Sequence, residues 1–193
     1  MDESPYQLYA DLLTETDRPD LAQFDCGSGK WAEAATEWIQ GSDVWESIKN
    51  RKTRVWLFRN EQGVLVGYGS LGLTRRKWPP PVGQHGNLQI IPMLGIDHHF
   101  HGKPRDRQWR YSHQIISHLR YEAIRTLAQH VSSGRSTLPL LTLYVHQDNV
   151  PAIVVYQHFG FTPEPLARTN DHILMLQKLD IGDLGEPNDA KDR

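Results

Sequence analysis

The 193-residue sequence predicts an α/β fold in which helices pack on a mixed β-sheet. Three observations lead to this class. A hairpin-like pair of extended segments comes early, a long segment with helical periodicity follows, and two further extended segments flank a short helix near the end. This order suits one domain, which we place at residues 1–179, followed by a disordered tail at residues 180–193.

Two helices are predicted ahead of the hairpin. Ser28 is placed to cap the first helix, and Gly41 follows its expected end. The apolar residues of its buried face recur at helical spacing: Trp31, Ala34, Ala35 and Trp38. A second, shorter helix is predicted at residues 44–48.

Strand-forming residues at 54–60 and 64–73 are separated by the turn sequence EQG, which predicts the hairpin. The segment 74–88 contains three consecutive prolines and two glycines, so it is predicted to be a long loop. The apolar strand at 88–96 has Pro92 inside it. Because proline has no N–H, we expect a bulge or an unpaired edge position there.

The carboxy-terminal half predicts a long helix, a buried strand, a short helix and a final strand. The long helix spans about residues 112–132. One apolar stripe marks its buried face: Ile116, Leu119, Ala123, Leu127 and Val131. The two strands are predicted at residues 138–145 and 172–178.

Composition excludes several classes of protein. The formal net charge of -2 gives no overall attraction to nucleic acid, and no apolar run approaches the roughly 18 residues that cross a bilayer. The start, MDESPYQLYA, lacks the basic and apolar regions of a signal peptide, so we expect a cytoplasmic protein without a membrane partner. Cys26 is the single cysteine, which excludes an internal disulfide.

The loop before the long helix carries four basic residues: Lys103, Arg105, Arg107 and Arg110. A helix amino terminus presents unpaired N–H groups and a partial positive charge. A basic loop that leads into one therefore suits a ligand that carries phosphates. The alternative is a solvated basic loop without a ligand.

The stretch HQDNVPAIVVYQHFGF, residues 146–161, predicts a short helix with marked boundaries. Asn149 occupies the cap position, Pro151 suits the first turn, and Gly160 supplies the left-handed residue that ends the helix. Tyr156 lies near its end. Taken alone, this tyrosine is explained by packing as an amphipathic core residue.

Together, the two junctions resemble the GNAT superfamily of acyl-coenzyme A-dependent N-acyltransferases. The pattern N-x-x-A-x-x-x-Y-x-x-x-G-F is carried by Asn149, Ala152, Tyr156, Gly160 and Phe161. The resemblance covers about residues 24–178. It implies a single domain with a mixed, twisted sheet of about six to seven strands flanked by helices.

The resemblance also implies how acetyl-CoA, the expected cosubstrate, would bind. In this family a bulged strand and its parallel neighbour splay apart, and the pantetheine arm lies in the gap. Carried over, Leu94 and Ile96 would offer main-chain groups to pantetheine, and Asn149 would contact the same arm. The residues expected around the pyrophosphate and the loop before the helix are His101, Gly102, Lys103, Arg105, Arg110 and Ser112.

Tyr156 is the catalytic residue that the resemblance implies. An amine would attack the thioester directly, and the phenol would protonate the departing thiolate. A main-chain N–H near Ile96 could polarise the carbonyl. The candidates for a base are His85, Asp97, His98 and His146, and a dedicated base could also be absent.

The phosphate loop departs from the family pattern Q/R-x-x-G-x-G/A. Here the chain reads His101-Gly102-Lys103-Pro104, so a proline occupies a glycine position and removes one N–H donor. Residues 104–109 resemble an insertion. Because the insertion is basic, we expect side chains such as those of Arg105 and Arg110 to replace the missing donor.

Two further features have competing interpretations. The run His98-His99-x-His101 consists of metal-ligating residues, but consecutive loop histidines rarely converge on one ion without further ligands, so we expect no metal. The loop at 78–81 could cover the acceptor cleft or run along the surface. Its basic neighbours at 75–77 would suit an acidic acceptor or an RNA backbone, or would form a solvated rim.

The sequence leaves the acceptor open. The first interpretation is an N-acetyltransferase acting on a primary amine of a small molecule or protein. The second rests on FDCG, residues 24–27, and on residues 67–73, which resemble a GNAT branch that includes toxin acetyltransferases acting on aminoacyl-tRNA. The acidic net charge opposes it. The third is a non-catalytic module that senses acyl-CoA. A homodimer is compatible with each.

Overall fold

The computed structural model describes residues 6–77, 85–103, 110–164 and 171–184. Within these ranges eight strands form one mixed sheet: β1 (Tyr9–Leu12), β2 (Thr53–Arg59), β3 (Leu65–Lys77), β4 (His85–Ile91), β5 (Leu94–Ile96), β6 (Thr137–His146), β7 (Thr162–Pro163) and β8 (His172–Lys178). The α-helices are α1 (Arg18–Leu21), α2 (Lys30–Gln40), α3 (Ser42–Lys49), α4 (Tyr111–Ser132) and α5 (Val150–His158).

The strand order is β1-β2-β3-β4-β6-β8-β7, and β5 pairs with β3 beyond β4. Strands β4 and β6 are parallel, whereas the other paired strands are antiparallel. The α/β class and the mixed sheet are confirmed. The sheet exceeds the expected six to seven strands because it also contains β1 and the two-residue β7.

The hairpin of β2 and β3 is confirmed and is longer than predicted. Its turn is held by Asn60, whose side-chain oxygen accepts hydrogen bonds from the main-chain N–H groups of Gln62 and Val64. Strand β3 continues to Lys77 and pairs there with the start of β4. The predicted bounds of the loop, 74–88, are therefore wrong at both ends. Residues 74–77 pair with residues 85–88, so these positions belong to strands β3 and β4. Residues 78–84 lie outside the described ranges.

Pro92 interrupts the strand predicted at 88–96, as expected. Strand β4 ends one residue before it, and β5 begins two residues after it. Ser70 on β3 bridges the interruption: its hydroxyl donates to the carbonyl of Met93 at 2.6 Å and accepts from the N–H of Met93 at 2.9 Å. The bulge redirects the chain without leaving these main-chain groups unpaired.

Helix α2 begins differently from the prediction. Gly29, not Ser28, is its N-cap, with a φ of 109° that favours glycine. The N–H of Gly29 donates to the carboxylate of Glu33 at 3.1 Å. The buried face contains Ala35 and Ile39, whereas Ala34 is exposed.

Helix α4 covers one face of the sheet and supplies much of the larger core. Four members of its predicted stripe are buried: Ile116, Leu119, Ala123 and Leu127. Val131 is exposed, because α4 ends at Ser132 and Gly134 follows in the left-handed region with a φ of 71°. No helix among the described residues combines the length and apolarity needed to cross a membrane.

The final strand, β8, has the predicted bounds. Beyond it, Ile181–Leu184 form a 3-10 turn, and Asp183 makes an ion pair with Arg120 of α4. This part of the expected tail is therefore folded, because it has a charged partner on α4. Residues 185–193 lie outside the described ranges.

Candidate functional site

The two parallel strands at the centre of the sheet diverge at their carboxyl ends. Strands β4 and β6 pair as far as Ile91 and Leu143. Strand β6 then continues to His146, whereas β5 pairs with β3, with Leu94 opposite Gly69 and Ile96 opposite Gly67. The predicted splay between these strands is confirmed, and it leaves a gap in front of α5.

The main-chain groups of β5 alternate between β3 and this gap. The carbonyl of Met93 accepts from the N–H of Ser70 at 3.0 Å, and the N–H of Asp97 donates to the carbonyl of Val66 at 2.9 Å. Because hydrogen-bonded pairs alternate along an antiparallel ladder, the main-chain groups of Leu94 and Ile96 face away from β3.

A cavity of about 730 Å³ occupies the gap. It contains seven of the residues predicted for the site: Leu94, Ile96, His101, Gly102, Ser112, Asn149 and Tyr156. Residues from two junctions that are distant in sequence thus share one cavity. Its size is within the usual range of roughly 300–1,000 Å³ for small-molecule sites.

Two predicted residues that the structure describes, Lys103 and Arg110, are not part of this lining. The carbonyl of Lys103 accepts from the N–H of Tyr111 at 3.2 Å, which ties the loop to the start of α4. Arg110 is the N-cap residue of α4, and its Nε atom is buried without a hydrogen-bond partner among the described residues. Arg105 lies outside the described ranges, as do the other residues of 104–109.

The boundaries of α5 are those that the sequence predicts. The side-chain oxygen of Asn149 accepts from the N–H of Ala152 at 3.4 Å, and a proline stands in the first turn. Gly160 follows the helix with a φ of 81°. These boundaries place Asn149 at the mouth of the gap and Tyr156 two turns further along, where both line the cavity.

Tyr156 is partly buried, and its ring meets that of Phe161 edge-on with centroids 6.0 Å apart. Burial raises the pKa of the Tyr156 phenol from 10.0 to about 12, because the charged phenolate would lose solvation. The phenol is therefore protonated at neutral pH. It can donate a proton to a base in the cavity and cannot act there as a base.

The loop between β5 and α4 is held close to the cavity by His101. Its Nε2 atom lies 2.9 Å from the carbonyl oxygen of Ile96, and a carbonyl can only accept, so Nε2 carries the proton. Gly102 follows with a φ of 68°, in the left-handed region that favours glycine.

The opposite wall of the cavity comes from residues that the sequence did not indicate as site residues. They belong to the segment before α2 and to its first turns: Cys26, Ser28, Gly29, Lys30, Trp31, Ala32 and Ala35. Trp31 packs against His146 at the end of β6, with ring centroids 3.9 Å apart. The FDCG motif that precedes α2 was the available signal for this wall.

None of the candidate bases with a described side chain lines this cavity. The Nδ1 atom of His146 accepts from the N–H of Asp148 at 3.1 Å, so its lone pair is already used. Asp97 and His98 lie behind the cavity wall, in contact with Asp25. The side chain of His85 lies outside the described residues.

The main chain of the basic run at 75–77 lies far along β3 from the cavity. Lys77 pairs with His85, whereas Gly69 pairs with Leu94. Eight residues of β3 separate Lys77 from Gly69, which corresponds to roughly 26 Å at about 3.3 Å per residue. The main chain of the run is thus at the opposite end of the sheet, which gives no support for a role of this run at the acceptor cleft. The predicted loop at 78–81 lies outside the described ranges.

Solved structures with the same architecture include complexes of the AtaT toxin. An AtaT tyrosine-to-phenylalanine mutant, bound to the C-terminus of the antitoxin AtaR and acetyl-CoA, has a TM-score of 0.62 and 15% identity, covering 92% of this chain and 95% of that chain. AtaT complexed with acetyl-methionyl-tRNAfMet has a TM-score of 0.60 and 18% identity, with 89% and 95% coverage.

A candidate acyl-CoA N-acyltransferase from Klebsiella pneumoniae has a TM-score of 0.52 and 15% identity, with 91% of this chain and 99% of that chain covered. No protein-family model matches the sequence, and no curated protein matches it significantly. At these identities the likeness shows the fold. The chain has the fold of the GNAT superfamily, as the motif of α5 implied.

Proposed function

We propose that the protein is an N-acetyltransferase that transfers the acetyl group of acetyl-CoA to a primary amine. One observation carries this proposal. Strand β5 pairs with β3 and not with β6, the parallel neighbour of β4, and the gap between β5 and β6 is a cavity lined by both Asn149 and Tyr156. The AtaT structure that holds acetyl-CoA, and the fold shared with it, support acetyl-CoA as the cosubstrate.

The pantetheine arm would lie in this gap. The outward main-chain groups of Leu94 and Ile96 would bind it from one side, and Asn149 from the other. The carbonyl of Ile96 already accepts from His101, so Leu94 and the N–H of Ile96 would carry most of these contacts. The arm would thus continue the sheet where β6 no longer pairs with β4.

The pyrophosphate would lie at the amino terminus of α4, near His101, Gly102 and Ser112. Proline at position 104 removes one N–H donor from this loop. The unpaired, buried Nε of Arg110 is a donor close to this place and can compensate. Lys103 and Arg105 would add positive charge around the phosphates.

The reaction would be a direct attack. The amine nitrogen forms a bond with the acetyl carbon, and the bond between carbon and sulfur breaks. Tyr156 gives its proton to the leaving thiolate, and water carries away the proton lost by the amine. Positioning two bound reactants supplies most of the rate, and general acid catalysis adds typically about 10²–10⁴-fold.

A second candidate acceptor is the α-amino group of an aminoacyl-tRNA. The structure of AtaT with acetyl-methionyl-tRNAfMet favours it, together with the FDCG motif, which forms part of the cavity wall through Cys26. The basic run of β3 gives this candidate no support, because it lies at the other end of the sheet. A non-catalytic acyl-CoA sensor remains the third interpretation.

The test compares Tyr156→Phe with Tyr121→Phe, a matched change at an exposed position of α4. Calorimetry measures acetyl-CoA binding, and release of the CoA thiol measures turnover with primary amines and with aminoacyl-tRNA. We expect Tyr156→Phe to lower turnover about 10²–10⁴-fold with unchanged acetyl-CoA affinity. Tyr121→Phe should change neither quantity.

Three outcomes would contradict the proposed function or a part of it. Equal turnover in Tyr156→Phe and the wild type would remove the general acid. Acetyl-CoA binding without thiol release for any acceptor would favour the sensor. Absence of acetyl-CoA binding would refute both the enzyme and the sensor.

A further inference from the structure

The end of the sheet opposite the cavity carries a surface of basic side chains. They come from β2, β3 and α4 and from the turns that precede β2 and β6, and we name them the basic end: Arg51, Lys52, Arg54, Arg75, Arg125 and Arg135. Five of the six are exposed, and Arg54 is half-buried. Along β3, six residues separate Arg75 from Gly69, the partner of Leu94, which corresponds to roughly 20 Å at about 3.3 Å per residue.

Shared neighbours join these side chains into one surface. Arg51, Lys52 and Arg54 line a common groove of about 660 Å³ between β2 and α4. Arg54 and Arg125 pair with the same carboxylate, that of Glu122, at 3.3 and 3.1 Å. The groove and the middle of α4 therefore belong to the same basic region.

Arg75 and Arg135 adjoin across the start of β4. Arg75 pairs with Asn87, and the side chain of Asn87 donates to the carbonyl of Ser136 at 3.3 Å, directly beside Arg135. These contacts bring the far part of β3 to the turn before β6. The basic end is thus continuous from the turn before β2 to the turn before β6.

The charge of this surface acts on a titratable group within it. Burial lowers the pKa of His130, in the last turn of α4, and the positive charges of Arg135 and Arg54 lower it further. Two cations from opposite sides of the basic end therefore affect the same imidazole.

Internal ion pairs neutralise only part of this charge. Glu122 is the acidic partner of both Arg54 and Arg125. Within the described ranges the remaining four cations form no ion pair: Arg51, Lys52, Arg75 and Arg135. The whole chain has 23 acidic and 21 basic residues, so the basic end is a local concentration of positive charge on an acidic protein.

We propose that the basic end binds the phosphate backbone of duplex nucleic acid. Five of its six cations are arginines, whose planar guanidinium groups can bind phosphate oxygens in pairs. The exposed side chains of Gln129 and Ser136 add neutral polar groups of the kind that commonly contact phosphates.

The dimensions of the basic end suit a duplex. Between Lys52 and Arg135 it crosses four neighbouring strands, β2, β3, β4 and β6. Three spacings of about 4.8 Å give a width of roughly 14 Å. A duplex carries one phosphate charge per about 1.7 Å of its axis, so this width faces about eight phosphate charges. The four cations without an ion pair can each neutralise one of them.

Arg51 occupies a position where glycine is the usual residue. It follows Asn50, the C-cap residue of α3, and has a φ of 54°, in the left-handed region. Glycine adopts this conformation without strain, whereas arginine does not. A charged side chain thus stands at a position where folding alone favours glycine, as a phosphate-binding role requires.

This inference does not rest on the proposed acetyl transfer. The basic end is separated from the cavity by the length of the central strands, so a duplex bound there would occupy a docking surface and not the acceptor site. Nucleic acid and acetyl-CoA should therefore bind at the same time.

The experiment measures the fluorescence anisotropy of labelled 20-base-pair duplexes of RNA and of DNA, titrated with the full chain at several NaCl concentrations. Both duplexes should bind near physiological salt with a Kd of about 10⁻⁴–10⁻⁶ M, because they present the same phosphates. For four phosphate contacts, log affinity should fall with log salt with a slope of about -3.6 for the DNA duplex, or about 0.9 for each contact.

Two double variants test the place of binding. Lys52→Gln/Arg75→Gln should lower the affinity at least about 10-fold and should reduce the magnitude of the salt slope by about two. Arg18→Gln/Arg120→Gln removes the same amount of charge from α1 and from the middle of α4. It should lower the affinity less than about threefold, because salt screens charges further than about 8 Å away. Circular dichroism checks that each variant is folded.

Three results would overturn the proposal: no binding of either duplex with a Kd below about 1 mM, equal loss of affinity in the two double variants, or displacement of the duplex by acetyl-CoA. A competitor, poly-L-glutamate, tests for an acidic protein as the partner. Displacement of the duplex by poly-L-glutamate at an equal concentration of charges would assign the basic end to such a protein and would also overturn the proposal.

Discussion

At the scale of the residue, Tyr156 meets two demands that compete with each other. A general acid must reach the sulfur, so it cannot be sealed in the core, and it must keep its proton at neutral pH. Its position on α5 gives it one side in the cavity and one side against Phe161. Partial burial then raises its pKa to about 12, which keeps the proton in place.

The same pKa shift predicts how stability depends on pH. The pKa is raised in the folded state, so above pH 10 the unfolded chain loses the Tyr156 proton first, and the folded state loses stability until about pH 12. The full effect of two units is about 2–3 kcal/mol. Denaturant unfolding at pH 8 and pH 11.5 should therefore show a smaller loss of stability in Tyr156→Phe than in the wild type.

The wild type and the variant differ only in this phenol, so the effects of titratable groups far from it cancel in the comparison. Burial raises the pKa of Tyr68 in both proteins, and the nearby Tyr156 adds a smaller contribution in the wild type only. An identical loss of stability with pH in the two proteins would contradict the pKa assigned to Tyr156.

The sequence could indicate some site residues and not others, for a physical reason. Asn149 and Tyr156 belong to one short helix whose spacing is a local signal. Lys30 and Trp31 reach the same cavity only because α2 packs beside β5 and the end of β6. Such a contact depends on tertiary packing, so no local sequence pattern predicts it.

At the scale of the element, β5 owes its position to the absence of a side chain at Gly95. A Cβ atom at this residue would lie 2.5 Å from Cε1 of Tyr68 and 2.8 Å from Sγ of Cys26. Tyr68 is fixed by the hydrogen bond from its hydroxyl to the carbonyl of Ala35 at 2.7 Å, so its ring has little freedom to move. The glycine lets β5 approach the segment that forms the opposite wall.

Gly95→Ala should therefore destabilise the fold by about 1–3 kcal/mol, the usual cost of overpacking, and should weaken acetyl-CoA binding. The control is Gly182→Ala, because a Cβ there would meet an exposed aspartate side chain at 3.3 Å. Chemical denaturation and calorimetry measure the two effects. If Gly95→Ala were as stable as the control, the close packing of Gly95 against Tyr68 and Cys26 would not require a glycine at this position.

The type and bounds of an element could be predicted where a long periodic pattern of apolar residues was present. The stripe of α4 and the apolar run of β8 leave little freedom, and both have nearly the predicted bounds. The strand β1 and the helix α1 have four residues each, too few to show a period. The cap of α2 was misassigned because Gly29, with its positive φ, competes with Ser28 for that role.

At the scale of the whole molecule, the sheet has one continuous end and one divided end. Near the amino ends of β4 and β6, residues Asn87 and Thr137 are paired. At the carboxyl ends, β5 pairs with β3, so β6 continues to His146 without a neighbour on that side and pairs only with β8. Ligands of open α/β sheets bind where neighbouring strands part in this way. The cavity is therefore a consequence of topology, and its chemistry comes from the elements around it.

This division predicts that filling the gap removes cofactor binding without unfolding the protein. Ala152 faces the cavity from α5, whereas Val154, two residues later, is exposed on the outer side of the same helix. We compare Ala152→Phe with Val154→Phe, which add an aromatic ring on opposite faces. Acetyl-CoA at about 100 times its Kd should stabilise the wild type by about 2.7 kcal/mol.

Val154→Phe should keep this stabilisation, and Ala152→Phe should lose most of it, because its ring would occupy the space of the pantetheine arm. Denaturant unfolding with and without acetyl-CoA measures both quantities. Without the cofactor, Ala152→Phe should unfold within about 1 kcal/mol of the wild type, since the ring enters a cavity and not a filled core. Full stabilisation of Ala152→Phe by acetyl-CoA would place the cofactor outside the gap and would remove the physical basis of the proposed transferase.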